Sequence, residues 1–190
     1  GGLLPWSSPW ATTGSATSPS RRGWRREPIV YRILLDTNVL VDYYLGREPG
    51  CSACVDIIDL ACDRHLLCVA ALSLKDVYYL VGATLKRLQR QERGSLSQAD
   101  AAACNEIAWD CVRHAMGVAL VTSTGNKECL DAFVLRSLHD DFEDNLVAAS
   151  ARSSQADFVV TGDERLLAHS PLATLTPQDM VRLLQAEAQR

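Results

Sequence analysis

Short apolar runs alternate with longer helical segments along most of this chain, and this alternation constrains the fold more than any other feature. The runs occur at 29–36, 66–70, 118–122, 157–162 and, more weakly, 172–176. Strands that are apolar throughout, and that are separated by helices, are typical of parallel sheets buried on both faces. The sequence therefore predicts an α/β fold with a central, mainly parallel sheet that is covered by helices on both sides.

The segments between the runs have the apolar spacing of helices. They span roughly 38–45, 50–64, 73–93, 97–115, 127–138, 142–155 and 177–188. Residues that can cap a helix stand at the start of four of these segments. They are Ser73, Ser97, Asp141 and Thr176. In sheets of this kind, ligands bind beyond the carboxyl ends of the strands, where the strand order reverses. The residues that follow the strands therefore carry the functional information.

The first 28 residues differ from the rest in composition. They are rich in Pro, Ser, Thr and Gly, have no hydrophobic period, and lack the apolar stretch of a signal peptide. We expect residues 1–28 to be a flexible or artificially added leader and residues 29–190 to be one domain.

The charge of the domain bears on its partners. Of the chain's 19 basic and 23 acidic side chains, four arginines and one glutamate lie in the leader, which leaves 15 and 22 and a net charge of −7 for residues 29–190. Proteins that bind nucleic acid usually have an excess of positive charge. This domain therefore either binds no nucleic acid or relies on bound cations and on locally clustered basic groups.

The seven cysteines are an odd set in a chain without a recognisable secretion signal, which is typical of reduced thiols in the cytoplasm. Cys51 and Cys54 have the spacing of a zinc pair, but their segment has helical spacing and no second close pair follows. We interpret the thiols as small buried hydrophobic side chains. Because no apolar run reaches the roughly 18 residues that a bilayer requires, we expect a cytoplasmic protein without a membrane anchor.

Two carboxylates stand at the ends of apolar runs. Asp36 closes ILLD and Asp163 closes FVVTGD. An unpaired carboxylate at the mouth of a buried strand is costly, so a cation or a helix N-terminus must compensate its charge. For each residue two interpretations stay open: a functional site, or a cap of the helix that follows. Their matching positions at two strand ends favour the functional interpretation.

Two further acidic residues lie near the starts of helices. Asp141 suffices as the cap of its helix, so Asp144 is available for another role. Asp76 shares one half of its helix with four basic residues. These are Lys86, Arg87, Arg90 and Arg93. A carboxylate at the base of a basic stripe suits a metal site approached by a phosphate-binding groove, here for RNA, and a solvated face is the alternative.

Four motifs occur in the order LLDTNVLVD, ALSLKDVYYLV, DFEDNLVAASA and DFVVTGDERLL. Together they resemble the PIN-domain family, particularly its VapC-like toxin ribonucleases, over about residues 31–167. The resemblance implies a three-layer α/β/α sandwich around the parallel sheet. It also implies that the family's acidic metal-binding positions correspond to Asp36, Asp76, Asp144 and Asp163.

The resemblance extends to polar neighbours, and the chain also departs from the family pattern, most notably at Asp76. The resemblance implies that Asn38 and Thr161 line the same pocket as the acidic residues. The family usually places a glutamate where this chain has Asp76, whose side chain is shorter.

The chemistry that we expect is metal-dependent cleavage of RNA. Oxygen ligands without His or thiolate select Mg²⁺ or Mn²⁺, which activates a bound water for attack on a phosphodiester. We expect Asp36, Asp144 and Asp163 to hold the principal ion, and Asp76 to anchor a second ion or its water. As the resemblance implies, the protein would be an endoribonuclease, the toxin of a type II toxin–antitoxin pair, with an antitoxin partner and a homodimeric state.

Two rival functions remain open from the sequence. One is a catalytically silent PIN-like module that only binds a protein partner, which the acidic charge and Asp76 would suit. The other is an aspartyl-phosphate phosphatase, since DTNV faintly resembles the nucleophile loop of such enzymes. That chemistry needs a second aspartate as general acid where Asn38 stands.

Overall fold

The computed structural model describes residues 31–62, 64–137 and 140–189. Within them, five strands form one sheet whose neighbouring strands are all parallel. The strands are β1 (Arg32–Leu35), β2 (Leu66–Ala70), β3 (Leu120–Thr122), β4 (Phe158–Val160) and β5 (Thr174–Leu175). Each lies inside one of the five apolar runs, and the expected parallel sheet is confirmed. The boundary expected after residue 28 lies outside the described residues and stays a prediction.

Eight helices connect and cover these strands in the described part of the chain. They are α1 (Thr37–Leu45), α2 (Gly50–Ala61), α3 (Ala71–Arg93), α4 (Gln98–Val118), α5 (Asn126–Leu135), α6 (Phe142–Ser153), α7 (Glu164–His169) and α8 (Pro177–Ala188). Three of the expected caps are confirmed, because the side chains of Ser97, Asp141 and Thr176 accept hydrogen bonds from the first turns of α4, α6 and α8. Local sequence was therefore a sound guide to most helix starts.

The fourth expectation, that Ser73 caps the start of a helix, is wrong. Helix α3 begins two residues earlier, immediately after β2, and Ala70 occupies the N-cap position without a side-chain hydrogen bond. Ser73 is fully buried, and its hydroxyl oxygen accepts a 2.9 Å hydrogen bond from Thr37. The partner is 36 residues away in sequence, so local capping rules could not reveal this role.

The three layers follow from the alternation of side chains along the strands. In β1, Ile33 and Leu35 belong to the larger apolar cluster, whereas Leu34 belongs to the smaller one. The larger cluster includes side chains from α1, α2, α3, α4 and α8, and the smaller one includes side chains from α6 and α7. Helices therefore cover both faces of the sheet, and the α/β/α sandwich is confirmed.

The strand order β3-β2-β1-β4-β5 places the first strand at the centre of the sheet. From β1 the chain builds β2 and β3 on one side, and then crosses to build β4 and β5 on the other side. The direction of winding reverses between β1 and β4, which is where ligands bind in open parallel sheets. Asp36 and Asp163 follow these two strands directly or within three residues.

All seven cysteines lie within the described residues, and none of them is in a disulfide bond. Five are buried, and Cys62 and Cys129 are exposed. Burial raises the pKa of the Cys51 thiol and raises that of Cys54 to about 12, which disfavours the thiolate that a zinc ion requires. Among the described residues, no helix has the length and apolar character needed to span a bilayer.

We expect Leu34→Ala to lower the free energy of unfolding by about 2–5 kcal/mol, because it removes a fully buried side chain and leaves a cavity between the sheet and its helices. Chemical denaturation measures this loss. The matched control is Leu130→Ala on α5, where the side chain is 61% exposed, and its effect should stay within about 0.5 kcal/mol. Equal effects of the two substitutions would contradict this packing.

The half-buried His114 of α4 should make the fold sensitive to acid. Its Nδ1 lies 3.1 Å from the Tyr44 hydroxyl, and burial lowers its pKa below the ordinary 6.5. The unfolded chain therefore takes up this proton at a higher pH than the folded chain, so the free energy of unfolding should fall as the pH drops below about 6.5 and level off below the folded-state pKa. Denaturation between pH 5 and 8 should show a weaker fall for His114→Gln. Burial also lowers the pKa of His65, which contributes equally in the wild type and in the variant. The quantity to compare is therefore the difference in the free energy of unfolding between the wild type and His114→Gln at each pH. Identical profiles would contradict the prediction.

Candidate active site

Asp36 lies at the carboxyl end of β1 and is only 3% exposed. Its amide donates a 3.0 Å hydrogen bond to the carbonyl of Val160, so β1 and β4 stay paired up to this residue. Its carboxylate also caps α1, because Oδ1 accepts a 2.7 Å hydrogen bond from the amide of Thr37. Asp36 can therefore cap the helix and also take part in a functional pocket, because the cap uses only its Oδ1.

The second oxygen of Asp36 is the centre of a polar network between β1 and β4. Thr161 donates a 2.7 Å hydrogen bond to Oδ2, and the side-chain amide of Asn38 donates another of 2.6 Å. The side-chain oxygen of Asn38 accepts a 2.8 Å hydrogen bond from the amide of Gly162. The structure thus brings Asp36, Asn38 and Thr161 together, with Thr161 fully buried.

The environment of Asp36 disfavours its negative charge. Burial raises the pKa of the carboxyl, and the hydrogen bonds from Thr161 and Thr37 offset this only in part. Repulsion from the nearby charges of Glu143 and Asp163 raises the pKa further. A carboxylate held in this way gains from a cation that approaches it.

Asp163 lies close enough to Asp36 to act on its pKa, but part of its side chain has a structural role. Oδ1 caps α7 by accepting hydrogen bonds of 2.8 and 2.9 Å from the amides of Arg165 and Leu166. The amide of Asp163 donates to the Thr161 hydroxyl oxygen at 3.0 Å. The expectation that Asp36 and Asp163 lie at neighbouring strand ends is met, and Oδ2 of Asp163 lies outside the cap.

A cavity of about 250 Å³ opens beside Asp36. Its walls include Asn38 and two acidic residues from the first turn of α6, Glu143 and Asp144. Leu80 of α3 forms part of the opposite wall. The structure therefore brings Asp36 and Asp144 to one cavity although 108 residues separate them in sequence.

Asp76 lies near this cavity without lining it. Its Oδ1 forms a 2.7 Å ion pair with Lys75, and its side chain is only 14% exposed. Its Oδ2 is buried and has no hydrogen-bond partner within the described part of the chain. Asp76 nevertheless acts on Glu143, whose pKa it raises by charge repulsion.

Glu143 is the acidic residue that sequence reasoning missed. Burial raises its pKa, and the charge of Asp76 raises it further. Glu143 in turn raises the pKa of Asp36 by charge repulsion. Glu143 therefore interacts both with Asp76 on α3 and with Asp36 at the end of β1. The motif DFED did show an excess of acidic residues, but a glutamate in a first turn is also what the helix dipole favours.

The chemistry of these residues fits a hard divalent cation. The donors are oxygens of carboxylates, amides and hydroxyls, which Mg²⁺ and Mn²⁺ prefer. Among the described residues, Oδ2 of Asp76 has no hydrogen-bond partner, and burial disfavours the charge of Asp36. However, no three His, Cys, Asp or Glu side chains among the described residues converge closely enough to form a ready-made metal site. The acidic residues share one region without forming a closed ligand set.

The four basic residues of α3 that the sequence placed in one stripe have different surroundings in the structure. The stripe begins well away from the acidic cavity, because the ten residues from Asp76 to Lys86 rise by about 15 Å along a helix. Lys86 and Arg90 line a second groove between α3 and α4, Arg87 is exposed, and Arg93 pairs with Asp100 at 3.1 Å. The four residues therefore do not act as one set.

Comparisons with known proteins agree with this architecture. A family model described as the PIN domain matches residues 32–165. No curated protein sequence matches the chain.

Three solved structures illustrate the likeness of fold. VapBC2 from Rickettsia felis, bound to a DNA fragment from its promoter, is 15% identical with a TM-score of 0.55, over 76% of this chain and 98% of that one. VapBC-1 from nontypeable Haemophilus influenzae is 14% identical with a TM-score of 0.53, over 77% and 98%. PAE2754 from Pyrobaculum aerophilum is 24% identical with a TM-score of 0.52, over 82% and 96%.

At these identities the structural likeness speaks for the fold alone. The family model, in contrast, covers more than half of the chain and includes β1, β4 and the acidic residues at their ends. This chain belongs to the PIN-domain family.

Proposed function

We propose that this protein is a divalent-metal-dependent endoribonuclease that hydrolyses phosphodiester bonds of RNA. The observation that carries the proposal is the cavity beyond the switch point of the sheet, where the buried Asp36 meets Asp144 and Glu143. Membership of the PIN-domain family supports nuclease chemistry at this place. A cavity with so many acidic neighbours needs positive charge before a phosphate can enter it.

In this proposal Asp36, Asp144 and Asp163 hold the principal Mg²⁺ or Mn²⁺, and Asp76 serves a second ion or its water through Oδ2. Glu143 adds a carboxylate between them. When bound, such an ion lowers the pKa of a coordinated water and stabilises negative charge on the leaving oxygen of the phosphodiester.

The polar residues of the pocket have a positioning role. Asn38 and Thr161 both donate to Oδ2 of Asp36, so they fix the plane of its carboxylate. Asn38 is fixed in turn by the amide of Gly162. This arrangement holds the buried carboxylate in one orientation and leaves its charge for a cation to balance.

We further propose that the protein acts as the toxin of a type II toxin–antitoxin pair and that it forms a homodimer. The likeness of its fold to chains of two VapBC structures supports this biological role. An antitoxin suited to this cavity would carry a basic side chain, because four carboxylates line the cavity against one cation, Arg47.

A catalytically silent interaction module is the second candidate. The ion pair between Lys75 and Asp76, and the lack of a convergent set of three acidic, His or Cys side chains in the described residues, favour it. An aspartyl-phosphate phosphatase is disfavoured, since Asn38 stands at the general-acid position and an amide cannot supply a proton there.

We expect the double variant Asp36→Asn, Asp163→Asn to lose Mn²⁺-dependent cleavage of single-stranded RNA while keeping its fold. Loss of groups around a metal ligand already costs about 10–100-fold, so loss of two ligands should cost more. A cleavage assay measures the activity, and circular dichroism checks the fold. The matched control is Asp56→Asn on α2, an exposed residue away from the cavity, which should cleave like the wild type. Full activity of the double variant would refute the assignment.

We also expect Mn²⁺ to bind the wild-type chain with measurable heat and to raise its melting temperature, since a ligand of the folded state stabilises it. Protons compete for the same carboxylates. Because burial raises the pKa of Asp36, binding should weaken on acidification at a higher pH than for an ordinary aspartate. Calorimetry at several pH values, with the double variant as the control, measures both effects. A silent module would give no heat at any pH.

A further inference from the structure

A second groove lies between α3 and α4, next to the acidic cavity. It has a volume of about 350 Å³. Its walls include Tyr78, Tyr79, Gly82, Lys86, Arg90 and Asn105. Leu80 lines the acidic cavity and the preceding residue, Tyr79, lines the groove. The two cavities therefore adjoin along α3, although none of the groove residues belongs to the proposed metal site.

Aromatic rings form one side of this region. The Tyr79 side chain is 63% exposed, and its ring meets that of Tyr78 edge to face, with 5.2 Å between the centroids. Tyr78 packs in turn against Trp109 of α4 at 5.0 Å. An exposed ring that is held by ring neighbours offers a surface for stacking at a small cost in conformational entropy.

Two cations, Lys86 and Arg90, stand about two and three turns beyond Tyr79 along α3. Among the described residues, neither Lys86 nor Arg90 forms an ion pair, whereas Lys75 and Arg93 on the same helix both do. The charge of Lys86 and Arg90 is available for an anionic ligand.

We infer that this groove binds single-stranded RNA a few nucleotides away from the phosphodiester that is cleaved. Tyr79 stacks on an unpaired base, Lys86 and Arg90 contact the adjoining phosphates, and the amide of Asn105 meets the edge of the base. Single-stranded RNA is recognised through stacking on aromatic rings together with basic side chains that follow the backbone. The inference rests on the proposed function for the position of the cleaved bond.

A protein segment suits the groove less well. An acidic peptide would satisfy Lys86 and Arg90 but would leave the face of the Tyr79 ring unused. An apolar peptide would cover the ring but would leave the two cations without a partner. RNA combines a flat base with a negative backbone, and so satisfies both features of the groove.

The test measures binding of a fluorescein-labelled, ten-nucleotide single-stranded RNA by fluorescence anisotropy, with the full chain and EDTA to prevent cleavage. We expect Tyr79→Ala to raise Kd by about tenfold, because base–aromatic stacking contributes of that order. Tyr79→Phe keeps the ring and should stay within about twofold of wild type. The matched control, Phe133→Ala, removes a ring that is 67% exposed on α5 and should also leave Kd unchanged.

The salt dependence separates the cations from the ring. For single strands, each phosphate contact contributes about 0.7 to the slope of log K against log salt concentration, so Lys86→Ala, Arg90→Ala should lower the slope by about 1.4. Tyr79→Ala should leave the slope unchanged. Arg152→Ala on α6, which removes an exposed arginine away from the groove, is the control for a general loss of charge.

An unchanged Kd for Tyr79→Ala, or no RNA binding by the wild type, would overturn the inference. The inference would also be overturned if Tyr79→Ala weakened the binding of poly-glutamate but did not change the binding of RNA. That result would identify the groove as a protein-docking site. RNA cleavage with Mn²⁺ is assayed separately. If the wild type cleaves RNA but Tyr79→Ala does not change Kd, RNA binding in the groove is wrong and the proposed nuclease activity stands. If Tyr79→Ala raises Kd tenfold but no cleavage occurs, RNA binding in the groove is supported and the proposed nuclease activity is wrong.

Discussion

The structure depends on one buried carboxylate, Asp36, at the end of the central strand. An ion in that position is costly, and the chain offsets the cost with hydrogen bonds from Thr37, Asn38 and Thr161. These donors come from the start of α1 and from the end of β4, so the network ties the two central strands together where they open. The hydrogen bonds do not fully compensate the burial, and the pKa of Asp36 stays raised. The same carboxylate is thus a structural cap and an unsatisfied charge.

The parallel sheet concentrates negative charge at this place. Because all strands point the same way, residues that follow β1 and β4 emerge at one edge, and the first turn of α6 adds Glu143 and Asp144 to the same cavity. Glu143 is the link, because its charge acts on Asp36 and is itself acted on by Asp76. These carboxylates repel one another, and in the proposed function a bound cation would offset that repulsion.

Helix α3 connects the acidic cavity to a surface of opposite character. Leu80 lines the acidic cavity and Asp76 lies near it, whereas Tyr79, Lys86 and Arg90 line the groove against α4. The net charge of the whole domain therefore differs from the local charge of the acidic cavity and from that of the groove. In the proposed function, the basic groups of the groove and cations bound among the acidic groups would together allow this acidic domain to bind an anionic polymer.

The sequence by itself determined the fold class, because continuously apolar strands between amphipathic helices have few ways to be buried other than a covered parallel sheet. It also determined most helix starts, since Ser97, Asp141 and Thr176 act on backbone amides within their own first turns. Only the tertiary structure decided which distant residues meet. The pairing of Ser73 with Thr37, the approach of Glu143 to Asp36 and the division of the basic stripe all depend on how helices lie against the sheet. That packing is set by long-range burial, which no local pattern of residues encodes.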